Sequence, residues 1–257
     1  MEEEPHSRLN IDIAGHHATF DFFHSQLTQA MMSYGMLVNN IPYEHETLLQ
    51  LITYLRSGDT FIDIGAHIGW FSVWASRFVG ATGTVYSIEP EPNNYVHLKR
   101  TIADNGCRNV VTYQSAVSEH DGETVFYVNQ DNDGGHALWD CSKHEFNEKT
   151  RKSPSSILVL STTLDSFCLS RKIGQIRMIK IDTEGAEVSV LRGASELLSM
   201  SAIDYVICEV NDAGLNKMDT SIDKMQSFMA DKGYRLAHSD KHNPGFIFNV
   251  MFARGGV

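Results

Sequence analysis

The stretch Thr60-Phe61-Ile62-Asp63-Ile64-Gly65-Ala66-His67-Ile68-Gly69, followed by Ser87-Ile88-Glu89-Pro90, decides the fold of this chain. The first apolar run is typical of a buried β-strand, and it ends in a glycine-rich turn before a helical pattern. A second apolar run ends in the carboxylate Glu89, near the spacing of about 20 residues expected of a ribose-binding acid. Together these features predict the nucleotide-binding half of an open α/β sheet.

The residues of the glycine loop distinguish between nucleotides. On the dinucleotide template Gly-x-Gly-x-x-Gly, with Gly65 as the second glycine, the first and third positions hold Asp63 and Ile68. A carboxylate at the first position repels a pyrophosphate, which disfavours NAD and FAD. S-adenosylmethionine has no phosphate and carries a cationic amino group that suits Asp63, and its carboxylate suits the helix N-terminus near Gly69. The alternative is a strand–helix turn in which the glycines serve only close packing.

The composition describes one acidic globular chain. Its 257 residues suffice for one large core, and 42% hydrophobic with 21% charged residues is ordinary for such a protein. The formal net charge of −11 opposes binding to nucleic acid and to anionic membranes, although it does not exclude a local basic groove. Apolar runs are too short for a membrane span, and Met-Glu-Glu-Glu-Pro lacks the charge of a signal peptide. Four scattered cysteines predict reduced thiols and a cytoplasmic location. No feature fixes the oligomeric state.

Strand and helix patterns alternate along most of the chain, which predicts a mostly parallel sheet with right-handed crossovers. The predicted core strands are 60–64, 84–88, 110–114, 176–181 and 203–210, with a closing antiparallel pair at 234–238 and 246–252. The predicted helices are 44–56, 69–79, 92–105, 186–199 and 219–231. Two hairpins are also predicted, one over 10–24 around Gly15 and one pairing 123–128 with 157–161. The simplest division is an extension, 1–45, and a cofactor-binding domain, 46–257.

A second group of acids lies in Lys180-Ile181-Asp182-Thr183-Glu184-Gly185-Ala186-Glu187, after a predicted strand. Ligands of open α/β sheets bind beyond the carboxyl ends of the strands, where the strand order reverses. Helix capping accounts for Glu187 and for part of Glu184, since acids favour the first helical turn. It does not account for Asp182 at the strand tip, which indicates a functional role there.

These residues resemble the FkbM family of S-adenosylmethionine-dependent methyltransferases. The matching pieces are Asp63 to Gly69, Glu89-Pro90, Gln114 to Ser118 with Asp121-Gly122, Leu164-Asp165, Lys180 to Glu187 with Leu191 to Gly193, and Glu209 to Asn211. The resemblance implies a class I, Rossmann-like sheet of seven strands, in the order 3-2-1-4-5-7-6 with the last strand antiparallel. It also implies O-methylation of a hydroxyl, often on a sugar or polyketide. His67 and Asn211 depart from the family, which often has Asn and His at these positions.

The resemblance and the loop chemistry together predict the site. We expect S-adenosylmethionine to be held by Glu89 at its ribose, by Ser115 and Ala116 near its adenine, and by the loop residues Asp63, Gly65, Ala66, His67 and Gly69. The predicted catalytic residues are Asp182, which holds the acceptor or the sulfonium side, Glu184 as the base, and His136 as the alternative base. Lys180 is expected to be structural. No metal ligand is assigned.

The acceptor is expected to be a small molecule or glycan with a hydroxyl group. Residues 1–45 and the loop around Gly134-Gly135-His136 are expected to roof its pocket, because loops on a rigid sheet usually carry specificity. Phe20, Phe22, Phe23, Tyr34 and Tyr43 either line that pocket or form a packed N-terminal core.

Two other functions compete with this interpretation. One is a magnesium-assisted O-methyltransferase, in which Asp182 acts with Glu209, Asn211 or Asp212 at two adjacent strand ends. The other is a binding module that keeps the cofactor fold and catalyses nothing. A decoy is Asn40-Ile41-Pro42-Tyr43, which resembles the Asn-Pro-Pro-Tyr signature of methyltransferases acting on bases but precedes the first core strand.

Overall fold

The computed structural model of the protein describes residues 6–240 and 247–256. Its strands are β1 (His6–Ile13), β2 (His16–Phe23), β3 (Thr60–Ile64), β4 (Thr84–Ile88), β5 (Val110–Tyr113), β6 (Ala116–Val117), β7 (Gly122–Val128), β8 (Ser155–Thr162), β9 (Ile176–Ile181), β10 (Ile203–Val210), β11 (Tyr234–Ser239) and β12 (Phe248–Arg254). Its α-helices are α1 (Leu27–Asn39), α2 (His45–Tyr54), α3 (Trp70–Val79), α4 (Pro92–Asp104), α5 (Glu148–Lys152), α6 (Leu164–Arg171), α7 (Glu187–Arg192), α8 (Ser195–Ser199), α9 (Asp212–Lys217) and α10 (Ile222–Asp231).

A seven-stranded sheet in the order β11-β12-β10-β9-β3-β4-β5 forms the centre of the molecule. Strands β10, β9, β3, β4 and β5 are parallel, and β12 runs antiparallel to both of its neighbours. This is the predicted Rossmann-like order with its one antiparallel strand. The predicted closing strand 246–252 is observed as β12, and residue 246 lies outside the described residues.

The strand order reverses between β3 and β9, and the two deciding motifs touch there. The Asp182 amide donates to the Ile64 carbonyl at 3.0 Å, which extends the β3–β9 pairing to the ends of both strands. Gly65 has a φ of +79°, and a Cβ at this position would lie 1.8 Å from the Asp182 carbonyl oxygen. Glycine is therefore required for the loop and the second acidic motif to meet.

Hydrophobic cores lie on both faces of the large sheet. One contains α3 with the N-terminal hairpin β1–β2, where the Phe20 ring lies 4.8 Å from the Trp70 ring. The other contains α6, α7 and α10. The sequence predicted both hairpins; the second, β7–β8, forms a separate small sheet with β6. All four cysteines are buried and unpaired, as expected.

The helices differ from the prediction in four places. The predicted helix 186–199 is divided into α7 and α8 at Gly193, where a Cβ would lie 2.0 Å from the Ser118 carbonyl oxygen. The predicted helix 219–231 begins only at α10, after the Ser221 cap, and α9 precedes it. The sequence analysis did not predict α1 and α6. Within 6–240 and 247–256, no helix combines the length and apolar character that crossing a bilayer requires.

Candidate active site

A cavity opens at the carboxyl ends of β3, β4, β9 and β10, where the strand order reverses. Its floor includes Gly65 and Ala66 of the glycine loop. The roof comes from α1 and the segment after it, and from the loop that follows β7. The roof residues are Thr28, Met31, Met32, Tyr43, Glu44, Asn132, Asp133, Gly134, His136 and Leu138. The cavity therefore lies where ligands of open α/β sheets bind.

Glu89 follows β4 directly and is 5% exposed. Its carboxylate accepts hydrogen bonds from the His67 amide and the Glu91 amide, both at 2.9 Å. Burial raises the pKa of Glu89 to about 7, and these two bonds oppose the rise. Each carboxylate oxygen has a second lone pair, so Glu89 can accept two further hydrogen bonds from a ligand in the cavity. A ribose diol offers two such donors, and Glu89 therefore fits the predicted ribose-binding role.

Ser115 and Ala116 also line the cavity, with Val117 and Phe126 beside them. The Ser115 hydroxyl donates to the Leu160 carbonyl at 3.1 Å, which ties this wall to β8. The wall is mainly apolar and suits the flat face of a base.

Asp63 and Gly69 lie beneath the glycine loop and are not among the cavity-lining residues. Asp63 is 1% exposed and accepts a 2.6 Å hydrogen bond from Ser72 in α3, which itself accepts from Ser87 at 2.7 Å. Burial raises the pKa of Asp63 to about 6. Gly69 is the N-cap of α3 with a φ of +91°. Both residues hold the loop in place, and direct contact with a cofactor stays a prediction for them.

His67 connects the glycine loop to the roof. Its Nε2 lies 2.9 Å from Oδ2 of Asp133, which is 6% exposed. Asp133 also accepts from the Thr28 amide at 2.7 Å and from Gln29 Nε2 at 3.0 Å, both in α1. Burial would raise the pKa of Asp133, but the hydrogen bonds from His67 and α1 outweigh it and hold the pKa below its usual value. The sequence gave no signal for Asp133, which lies about 100 residues from α1.

The predicted catalytic acids lie together at the other end of the cavity. Asp182 follows β9 and forms a 2.6 Å ion pair with Lys180, whose side chain is 2% exposed. Burial opposes the charge of Lys180, but the surrounding carboxylates, Asp182 first, raise its pKa. Glu184 has a φ of +54° and accepts a 2.8 Å hydrogen bond from Asn211 Nδ2. Burial, reinforced by Asp182, raises the pKa of Glu184 to about 8.

The sequence analysis missed two residues of this end. Glu44 lies just before α2, and the Tyr43 ring beside it lines the cavity. The third acid, Glu209 in β10, is 7% exposed and had been considered only as a magnesium ligand. Burial raises the pKa of both Tyr43 and Glu209 well above their usual values. Glu44 escaped notice because no strand–helix pattern brings it to the sheet edge.

His136 lines the cavity, as expected, but in an unfavourable state for a base. Its Nδ1 accepts from the Asn129 amide at 2.9 Å, which leaves the proton of the neutral ring on Nε2. Burial lowers the pKa of His136 to about 4. The ring therefore donates from its remaining nitrogen at neutral pH.

Of the five aromatic residues proposed for the acceptor pocket, Tyr43 alone lines the cavity. Phe20, Phe22 and Phe23 are buried in the N-terminal core, which was the alternative interpretation. Tyr34 is 66% exposed on the outer face of α1. The hairpin stacks on α3 because Phe20 fits against Trp70 and Trp74.

Comparisons with known proteins agree with this geometry. The family model described as "Methyltransferase FkbM domain" matches residues 63–236. The chain is 25% identical over 190 residues to "Methyltransferase 1" of Beauveria bassiana, covering 70% of this chain and 74% of that protein. It is 21% identical over 185 residues to "Hexuronic acid methyltransferase AglP" of Haloferax volcanii, covering 72% and 69%. The crystal structure of methyltransferase FkbM from Methylobacillus flagellatus KT matches with a TM-score of 0.48 at 18% identity, over 76% of this chain and 43% of that one.

Proposed function

Because this chain belongs to the FkbM family of methyltransferases, we propose that it transfers a methyl group from S-adenosylmethionine to a hydroxyl oxygen of a small molecule or glycan. One observation carries the proposal: a single cavity joins the buried carboxylate of Glu89 to the buried carboxylate of Glu184. The first suits a ribose diol, and the second suits the proton that a hydroxyl loses on methylation.

The residues near β4 and β5 hold the cofactor. Glu89 accepts the ribose hydroxyls, and Ala116 with Phe126 contacts the adenine. Gly65, Ala66 and His67 bind the remainder through the glycine loop, which Asp63 and Gly69 support. When bound, S-adenosylmethionine supplies a methyl group on a sulfonium, which is a good leaving group. Glu89 thus fixes the cofactor at one end, so that its methyl group lies toward the acids.

Glu184 is the base. Its pKa of about 8 is close to the working pH, which is the condition under which a carboxylate removes a proton most effectively. Asn211 orients the carboxylate through its 2.8 Å hydrogen bond. Asp182, held by Lys180, positions the acceptor oxygen in line with the methyl group. Proton removal at a positioned oxygen contributes about 10²–10⁴-fold to the rate.

The acceptor enters beneath the roof formed by residues 1–45 and the loop around Gly134-Gly135-His136. This extension completes the methyltransferase domain, residues 46–257, and acts as an acceptor lid. The similarity to a hexuronic acid methyltransferase supports a glycan acceptor. Nucleic acid is a poor acceptor, since the formal net charge is −11 and this end of the cavity is lined by acids.

The test is cofactor turnover. Hydroxylated sugars, uronic acids, polyketides and peptides are incubated with labelled S-adenosylmethionine, and formation of S-adenosylhomocysteine is measured beside the methylated product. We expect an O-methylated product from a hydroxylated acceptor, and loss of turnover in Glu184→Gln. Binding of the cofactor without turnover of any acceptor would instead identify a binding module, and methylation at nitrogen or carbon would overturn the choice of oxygen.

A further inference from the structure

Three carboxylates from distant parts of the chain meet in the cavity. Glu44 precedes α2, Asp182 follows β9 and Glu209 lies in β10. One oxygen from each lies within 4.8 Å of the others. All three residues line the cavity, so that whatever binds between them faces the acceptor.

Two of these carboxylates lack donors. Oε2 of Glu209 and Oε1 of Glu44 are buried, and neither has a hydrogen-bond partner in the part of the chain that the structure describes. Glu209 is only 7% exposed, so bulk water does not replace the missing donor. Asn249 donates to the other oxygen of Glu44 at 3.1 Å, which holds that side chain in place. A buried acceptor without a donor costs about 1–3 kcal/mol, and more when charged. Such atoms require a proton, a water molecule or a cation.

The charges give the same result. Three carboxylates carry −3, and Lys180, bound to Asp182 at 2.6 Å, contributes +1. The remaining −2 equals the charge that one divalent cation neutralises. Lys180 contacts one carboxylate by hydrogen bond, so it leaves the oxygens of Glu44 and Glu209 available.

We propose that Glu44, Asp182 and Glu209 form a binding site for one hard divalent cation, Mg²⁺ or Mn²⁺. Carboxylate oxygens are the ligands that these ions prefer, and Mg²⁺ usually keeps several waters that an acceptor can replace. The sequence alternative paired Asp182 with Glu209, Asn211 or Asp212. The structure selects Glu209 and replaces the others by Glu44, because Asn211 is committed to Glu184 and to the Gly214 amide.

The consequence for catalysis rests on the proposed function. A cation here coordinates the acceptor oxygen and lowers the pKa of its hydroxyl, which aids proton transfer to Glu184. It also attracts an acceptor that carries a carboxylate beside its hydroxyl, which the acids would otherwise repel.

The direct test is Mn²⁺ binding to the whole chain, followed by electron paramagnetic resonance without cofactor or acceptor. We expect one site, displaced by Mg²⁺. Glu44→Gln and Glu209→Gln each weaken it by at least the about 10–100-fold that changes around metal ligands cost. The matched control is Glu89→Gln, a buried carboxylate of the same cavity two strands further along the sheet, which keeps the affinity. No stoichiometric binding, or equal affinity in all variants, overturns the site.

A second variant covers the case in which the Gln variants do not fold. Lys180→Gln removes the internal cation and leaves −3 between the carboxylates, so Mn²⁺ should bind more tightly and raise its Tm more than that of the parent chain. A Tm of Lys180→Gln that Mn²⁺ does not move overturns the site. Turnover is measured separately: Mn²⁺ binding without methyl transfer refutes the proposed function alone, and turnover unaffected by chelator with no Mn²⁺ bound refutes the site alone.

Discussion

Glu89 and Glu209 are carboxylates of one cavity, almost equally buried, and they differ in what surrounds them. Glu89 accepts two backbone amides, and no other carboxylate donates or competes at its oxygens. Glu209 lies among Glu44, Asp182 and Glu184, and its Oε2 has no partner among the described residues. One end is thus complete except for ligand donors, whereas the other carries an excess of negative charge. The first is organised for binding and the second for proton and cation chemistry.

Replacement of the proposed base tests this division most strongly. Glu184→Gln keeps the shape of the side chain and the contact with Asn211, and it should lower kcat by about 10²–10⁴-fold. In the parent chain, kcat should rise with pH up to about 8 and then level off, because the base acts when ionised. The variant should lose that rise. Isothermal calorimetry should give an unchanged Kd for S-adenosylmethionine, and a variant that turns over at the parent rate across the pH range would exclude Glu184.

The reverse experiment removes Glu89. A buried charge-assisted hydrogen bond contributes about 1.5–3 kcal/mol, so Glu89→Ala should weaken cofactor binding by about 10–100-fold. The position of the kcat pH profile should stay where Glu184 puts it. Glu123→Ala, which removes an exposed acid of β7, is the control and should leave the Kd unchanged. If both variants changed Kd and the pH profile together, the two ends would not be separate in function.

Burial of so many acids also predicts how stability depends on pH. Burial raises the pKa values of Asp63 to about 6, of Glu89 and Glu187 to about 7, and of Glu184 to about 8. Between the unfolded pKa near 4.5 and these values, the folded state binds more protons than the unfolded state. The free energy of unfolding should therefore fall as pH rises from about 4.5 to 8.

We expect Tm without ligand to be lower at pH 8 than at pH 5.5 by about 5 °C or more. Glu89→Gln, which cannot ionise, should show a smaller decrease, whereas Glu123→Gln should follow the parent. Differential scanning calorimetry at both pH values measures this, and a Tm that rises over this range would contradict the shifted values.

The sequence predicted the sheet closely because each strand is a run of β-forming residues that ends in a distinctive turn. Strands β3, β4, β9 and β10 have the predicted bounds. Helix α1 could not be found in this way, since its pattern is inverted: Gln29 and Ser33 are buried, while Met31 and Tyr34 are exposed. Gln29 is buried because it pairs with Asp133, a contact between loops far apart in sequence.

The same distinction applies to the site. Asp182 and Glu89 were predictable, because a strand tip at the reversal of strand order is a position that the sequence pattern itself defines. Glu44 was not, since its approach to Glu209 depends on how the segment before α2 packs across the sheet. Elements defined by local periodicity are therefore readable in the sequence, and contacts between non-periodic segments are not.

His136 gives the smallest expected effect and the sharpest limit on the base. Its Nδ1 accepts from the Asn129 amide and its pKa is lowered to about 4, so the neutral ring carries its proton on Nε2 and cannot accept another at that nitrogen. His136→Asn, whose side-chain oxygen can still accept from the Asn129 amide, should change kcat by less than the about 10²-fold minimum attributed to a base. The kcat pH profile should not move. His136→Ala leaves the amide unpaired and should lower the free energy of unfolding by about 1–3 kcal/mol, as measured by denaturant titration. A loss of about 10²-fold or more in His136→Asn, with a displaced pH profile, would instead transfer the role of base from Glu184 to His136.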